Sequence, residues 1–177
     1  FGAEVPFIRP SELAQDDTPD RPVFLHCIHW LEEHEGYEFD DLINLRCTSP
    51  LRRREHIEKA LEMARSEECD SVRTVNRIFG KNHPHWVLKR DEQGCGVSFI
   101  EGIERSRYYQ RQLLPPAYAI NALADVMKVD TILRFENLYG RTMKLVETEP
   151  IYSVDIDTPE DLILCEAIME NFNVLDE

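Results

Sequence analysis

The order of two short apolar runs and the helix between them constrains this chain most. Leu42-Ile43-Asn44-Leu45 follows the acidic turn Asp40-Asp41 and reads as a buried strand. Ser49 then suits a helix N-cap and Pro50 a first helical position, and Ile57, Ala60, Leu61 and Ala64 recur at helical spacing. Ser71-Val72-Arg73-Thr74-Val75 is the next strand candidate. An earlier helix can open at Pro22, with Val23, Cys27, Ile28 and Leu31 on its apolar face. Strand, helix and strand in this order predict an α/β fold, a mostly parallel sheet with helices on both faces.

The 177 residues form one domain, or a domain with a lobe, with room for a sizeable core. Three segments are expected. Residues 1–75 supply part of the α/β core, and 76–120 form an inserted lobe. Residues 121–177 complete the core. The lobe reading rests on irregular patterning with large aromatics, in Asn82-His83-Pro84-His85-Trp86 and Arg105-Ser106-Arg107-Tyr108-Tyr109-Gln110-Arg111. His83 and His85 are expected on the surface, since Pro84 separates them and no Cys or carboxylate stands near. No apolar run approaches the roughly 18 residues of a membrane span, and Phe1-Gly2-Ala3-Glu4 does not read as a signal peptide. Five scattered cysteines without a Cys-x-x-Cys pair suit reduced thiols in a cytoplasmic setting. A net charge of −14 opposes binding to nucleic acid or an anionic membrane. A phosphorylated ligand would therefore need a local basic patch or a metal ion.

Both are on offer. Tyr152-Ser153-Val154-Asp155-Ile156-Asp157 reads as an apolar strand running into a helix, with Thr158 as N-cap, Pro159 at the first position and Asp161 completing a capping box. On a strand Asp155 and Asp157 would share a face, about 6.6 Å apart, and could hold a hard divalent cation. Strand termination and helix capping explain the same residues without a metal. The basic candidate is Arg46-Cys47-Thr48-Ser49-Pro50-Leu51-Arg52-Arg53-Arg54, a strand-to-helix turn where backbone N–H groups favour anions. There Arg46 and Arg52 are candidates to face a ligand.

Four segments in order carry a family resemblance: Arg9-Pro10-Ser11-Glu12-Leu13-Ala14-Gln15-Asp16, Thr48-Ser49-Pro50-Leu51-Arg52, Arg111-Gln112-Leu113-Leu114-Pro115 and Asp155-Ile156-Asp157-Thr158-Pro159-Glu160-Asp161. Together they resemble the acylneuraminate cytidylyltransferases, or CMP-sialic acid synthetases. The resemblance implies a Rossmann-like α/β fold with a small lobe that mediates homodimerisation. It also implies an enzyme that transfers CMP from CTP to a sialic-type nonulosonic acid and releases pyrophosphate, with Mg²⁺ as cofactor. Carried over residue by residue, Asp155 and Asp157 match the metal-binding aspartates, and Arg9, Ser49 and Arg52 fall on the nucleotide side. Arg46, Arg111 and Asn121 fall on the sugar side. The chain departs from the family pattern in two places. Arg46-Cys47 stands for Gln-Pro, and Asn121-Ala122-Leu123-Ala124-Asp125 stands for Asn-Gly-Ala-x-Tyr, losing a glycine and an aromatic contact. The family's first strand and Gly/Ser/Lys phosphate loop are expected to be missing through N-terminal truncation. The alternative expectation is a non-catalytic homologue that dimerises or binds a ligand.

Overall fold

The computed structural model describes residues 2–172; Phe1 and 173–177, the outer ends of the expected first and third segments, lie outside the described residues. In chain order, α1 (Asp20–Glu35), β1 (Asp41–Asn44), α2 (Arg54–Ser66) and β2 (Ser71–Arg77) lead into a small hairpin, β3 (Leu88–Arg90) and β4 (Gly96–Ser98). β5 (Tyr118–Lys128), α3 (Val129–Arg134), β6 (Met143–Glu147) and α4 (Pro159–Asn171) follow.

The main sheet runs β1-β5-β2-β6, with β5 antiparallel to both β1 and β2, and β2 parallel to β6. Three strands thus share one direction, but the sheet is mixed, a correction to the mostly parallel expectation. The reason lies in the connection. Between β2 and β5 the chain makes no helical crossover. It leaves at Arg77 and returns at Tyr118, which pairs with it, and the Ile78 N–H donates to the Ala117 carbonyl at 2.8 Å. A direct return of this kind gives antiparallel pairing. Residues 79–116, mostly irregular apart from 3₁₀ turns and the β3–β4 hairpin, connect the two strands.

Helices cover both faces, as expected. Val126 packs with Ala60, Ala64 and Val72 on the α2 face, while its neighbour Met127 packs with Ile28 and Ile132 on the α1/α3 face. This is the alternation of successive strand side chains. The expected stripe of α2 is the one it buries, with Ile57 and Leu61 beside Ala60 and Ala64.

α2 starts later than the Ser49-Pro50 signal predicts. Residues 47–51 form turns, and the helix begins at Arg54, where the Arg53 N–H donates to His56 Nδ1 at 3.1 Å. Ser49 is therefore not an N-cap, and Arg52 and Arg53 precede the first helical turn. A tighter turn wins because the Ser49 N–H closes onto the Arg46 carbonyl and the Arg52 side chain braces the same carbonyl at 2.7 Å.

The expected Asp-x-Asp strand is also absent among the described residues. Pro150–Tyr152 form a 3₁₀ turn and residues 153–156 run without a ladder, with Val154 buried against Leu51 and Cys165 and the Ile156 N–H donating to the Thr48 carbonyl of the 47–51 turn at 2.8 Å. Proline cannot donate to a ladder, and the turn it opens sets the chain off the sheet. The helix after it matches its prediction. Asp161 Oδ2 accepts the Thr158 N–H at 2.9 Å, and the Thr158 hydroxyl accepts the Asp161 N–H at 3.3 Å.

In this connection His83 is buried rather than at the surface. Its Nε2 faces the Pro115 carbonyl at 2.9 Å and its Nδ1 accepts the His85 N–H at 3.2 Å. Packing against His85 and Tyr108 makes this histidine pair structural.

Candidate active site

A cavity of about 210 Å³ opens beside the carboxyl end of β1, lined by Asn44, Arg46, Arg73, Ala122, Asp125 and Asp155, with Asp20 and Tyr139 at its sides. In α/β sheets such a position is the usual place for a ligand. Two Arg–Asp pairs face it. At the half-exposed mouth, Arg46 donates to Asp20 Oδ2 at 3.0 Å. Deeper, Arg73 and Asp125 approach to 3.7 Å with side chains only 4% and 10% exposed. Burial pulls the Arg73 guanidinium below its ordinary pKa and pushes the Asp125 carboxyl above its own, each opposed by the other's charge. Asp155 Oδ1 is buried with no hydrogen-bond partner among the described residues.

The floor of this cavity is an irregularity in β5. Arg73 pairs with Asp125 but Val75 pairs with Ile120, so residues 121–124 stand opposite Thr74. Ala122 adopts φ +56° there, a left-handed conformation in a residue that carries a Cβ. Arg52 clamps the bulge to the 46–52 turn. Its Nε donates to the Leu123 carbonyl, and its Nη2 donates to the carbonyls of Ala122 at 3.3 Å and Arg46 at 2.7 Å. Burial lowers the Arg52 pKa, against the pull of Asp125 and Asp155. A β-branched residue tolerates the left-handed region poorly. Ala122→Val should therefore cost about 2–3 kcal/mol in urea unfolding, whereas Ala122→Gly should stay within about 1 kcal/mol.

The sequence-derived candidates are thus partly gathered. Arg46 and Asp155 line the cavity, with Arg52 directly behind it. Ser49 is buried in the same turn, its hydroxyl without a partner among the described residues. The Asn121 amide is engaged internally, within 2.6 Å of Asn76 Oδ1, 2.7 Å of Thr148 Oγ1 and 3.3 Å of Ser153 Oγ. Asp157 is exposed at the start of α4, its N–H donating to Asp161 Oδ2 at 3.2 Å. Arg9 is exposed ahead of the first 3₁₀ turn. Arg111 lies at a second cavity, of about 330 Å³, where it and Arg77 flank the Phe79 ring at 5.0 and 5.2 Å.

Sequence reasoning passed over Arg73 as a site residue and treated Asp125 only as a lost aromatic. The available signal was a charge in the middle of the otherwise uncharged run Ser71–Val75. A charge inside a buried strand demands a partner, and Asp125 supplies it.

No family model matches this chain. Individual proteins do. The post-translational flagellin modification protein B of Campylobacter coli is 27% identical over 174 residues, 98% of this chain and 72% of that protein. The CMP-N,N'-diacetyllegionaminic acid synthase of Legionella pneumophila is 29% identical over 171 residues, 96% of this chain and 71% of its own length. The N-acylneuraminate cytidylyltransferase of Streptococcus agalactiae is 24% identical over 156 residues, 88% of this chain. The chain is a relative of the acylneuraminate cytidylyltransferases. Against the streptococcal member of this enzyme family it spans 35% of the length, and against the Campylobacter and Legionella proteins more than two thirds. Among the described residues no helix is long and apolar enough to cross a membrane.

Proposed function

We propose that this chain acts as a cytidylyltransferase, with nucleotide-side and sugar-side residues gathered around the cavity of Arg46 and Asp155. The reaction is transfer of CMP from CTP to a nonulosonic acid, with release of pyrophosphate. The observation that carries the reading is Asp155, which lines a cavity with Arg46 and has a buried carboxylate oxygen without a partner among the described residues. Relatives named for CMP-sugar synthesis along nearly the whole chain support it.

A carboxylate oxygen without a protein donor is a fitting ligand for a hard cation, and Asp157, exposed two residues on at the start of α4, would have to turn toward it to add a second carboxylate. Among the described residues no group of three or more His, Cys, Asp or Glu side chains is placed to hold a metal. Mg²⁺ at Asp155 would accordingly share its coordination with phosphate oxygens and water, the usual arrangement for this ion. When bound, it supplies neutralisation of charge on the transferring phosphoryl group. The chain's own residues position the partners. Arg46 presents a guanidinium fork at the mouth, suited to the sugar carboxylate. Arg52 holds the β5 bulge and the 46–52 turn in one geometry. Arg9 and Ser49 belong to the nucleotide side in this reading, Arg111 and Asn121 to the sugar side. Exposed Phe99, Ile100 and Tyr109 on the lobe are apolar area that a second copy would cover in a homodimer.

The test is pyrophosphate release by the full-length protein supplied with CTP, Mg²⁺ and either an N-acylneuraminic acid or N,N'-diacetyllegionaminic acid. Sugar-dependent release is expected with at least one of them. No release with any nonulosonic acid would remove the reading and leave a ligand-binding homologue.

A further inference from the structure

The two Arg–Asp pairs at the cavity differ in a way that identifies a ligand group. The mouth pair, Arg46–Asp20, is closed by a hydrogen bond at 3.0 Å. The deep pair, Arg73–Asp125, is less exposed yet stands open at 3.7 Å, and Arg73 Nη1 and Asp125 Oδ1 each lack a hydrogen-bond partner among the described residues. The rest of Arg73 is fixed, by Nη2 donating to the Leu138 carbonyl at 2.9 Å and by the Tyr139 ring 5.1 Å from its guanidinium carbon. A buried charge pair normally closes its hydrogen bonds, since each unmade bond costs the desolvation of that atom. Here an unpartnered donor and an unpartnered acceptor stand side by side in two residues that line one cavity.

An atom that satisfies both must accept from Arg73 and donate to Asp125 at the same position. An oxygen about 2.8 Å from each would bridge the 3.7 Å separation once the two side chains part to admit it. A carbonyl accepts only, an amide N–H or ammonium donates only, and a carboxylate is repelled by Asp125. A hydroxyl does both, whether it belongs to a substrate or to a water molecule, and only a substrate hydroxyl makes the pair sensitive to a deoxy sugar. We propose that Arg73 and Asp125 form a specificity subsite that grips one hydroxyl of the substrate between them. The inference rests on the cytidylyltransferase reading for the identity of the sugar, and on the cavity alone for the chemistry of the group.

The experiment uses full-length protein, a nonulosonic acid and the single-position deoxy analogues of the same sugar. With CTP present, one deoxy analogue should lose about 10- to 100-fold in kcat/KM against the wild-type protein, the worth of one hydrogen bond to charged groups. Asp125→Asn should raise KM for the parent sugar by a similar factor, with KM for CTP unchanged, and should cut the discrimination between parent and that analogue to within about threefold. Arg73→Met/Asp125→Leu, which removes both charges, should abolish discrimination in the same way and serves where Asp125→Asn does not fold. Discrimination that survives in these variants at every position would overturn the subsite. A second readout needs no catalysis: the parent sugar alone should raise Tm more than the deoxy analogue, and Asp125→Asn should erase that difference. If no pyrophosphate forms but this pattern appears, the transferase reading falls and the subsite stands. If pyrophosphate forms and the variants discriminate like wild type, the subsite falls and the transferase reading stands.

Discussion

Asp155→Asn should lower turnover of the full-length protein about 10²- to 10³-fold and raise the Mg²⁺ concentration needed for half-maximal rate, with the fold intact. The magnitude follows from the several kcal/mol that a positioned cation contributes to phosphoryl transfer, each 1.36 kcal/mol being tenfold. The fold should survive because Asp155 Oδ1 makes no hydrogen bond among the described residues that the amide would break. Asparagine keeps the shape and removes the charge, so the melting temperature should hold or rise slightly while the rate collapses. Assays of rate against Mg²⁺, paired with thermal unfolding of the same preparation, separate the two effects. Unchanged turnover would take Asp155 out of the metal site.

Arg73→Met should be the most destabilising single change, at about 3–5 kcal/mol near pH 7. It leaves Asp125 in the interior without its counter-charge, and it also breaks the hydrogen bond to the Leu138 carbonyl. The double variant Arg73→Met/Asp125→Leu should recover most of that loss, since apolar residues of similar size replace a buried ion pair at little net cost. The loss should depend on pH. Burial already raises the Asp125 pKa above its ordinary value, so the native state of wild type binds that proton more readily than the unfolded chain. Removing Arg73 raises it further. As pH falls through this raised folded-state pKa, Asp125 becomes neutral in the native state and the penalty shrinks, so the deficit of the single variant should narrow on acidification. Urea unfolding at two pH values reads this directly. A single-variant cost below about 1 kcal/mol, or a double variant as unstable as the single, would refute the account of the pair.

Much of the scaffold was legible in local patterns. The stripe of α2 and the Thr158–Asp161 capping box occur where spacing and side-chain chemistry put them, because both involve residues within a turn or two of each other. β5 was not read as a strand. Ala119, Asn121, Ala122, Ala124 and Asp125 are poor strand formers, and the strand exists because it is wedged between β1 and β2 and buried from Asn121 to Met127. The Asp-x-Asp segment fails in the opposite sense. Its pattern is strand-like, but the 3₁₀ turn at Pro150 leaves it without a ladder partner. Asp155 and Asp157 consequently differ in burial, one at the cavity and one at the start of α4.

The sequence by itself determined the α/β class, helices on two faces, the capped start of α4 and, through four segments in order, the relationship to the cytidylyltransferases. These are short-range patterns and residue identities, which a linear reading contains. Only the tertiary structure decided that the sheet is mixed, that Arg52 braces a bulge with Ala122 in a left-handed conformation, and that Arg73 and Asp125 line one cavity and stand 3.7 Å apart. Those facts depend on β5 returning antiparallel beside β2. That register juxtaposes residues some fifty positions apart, and no local periodicity encodes it.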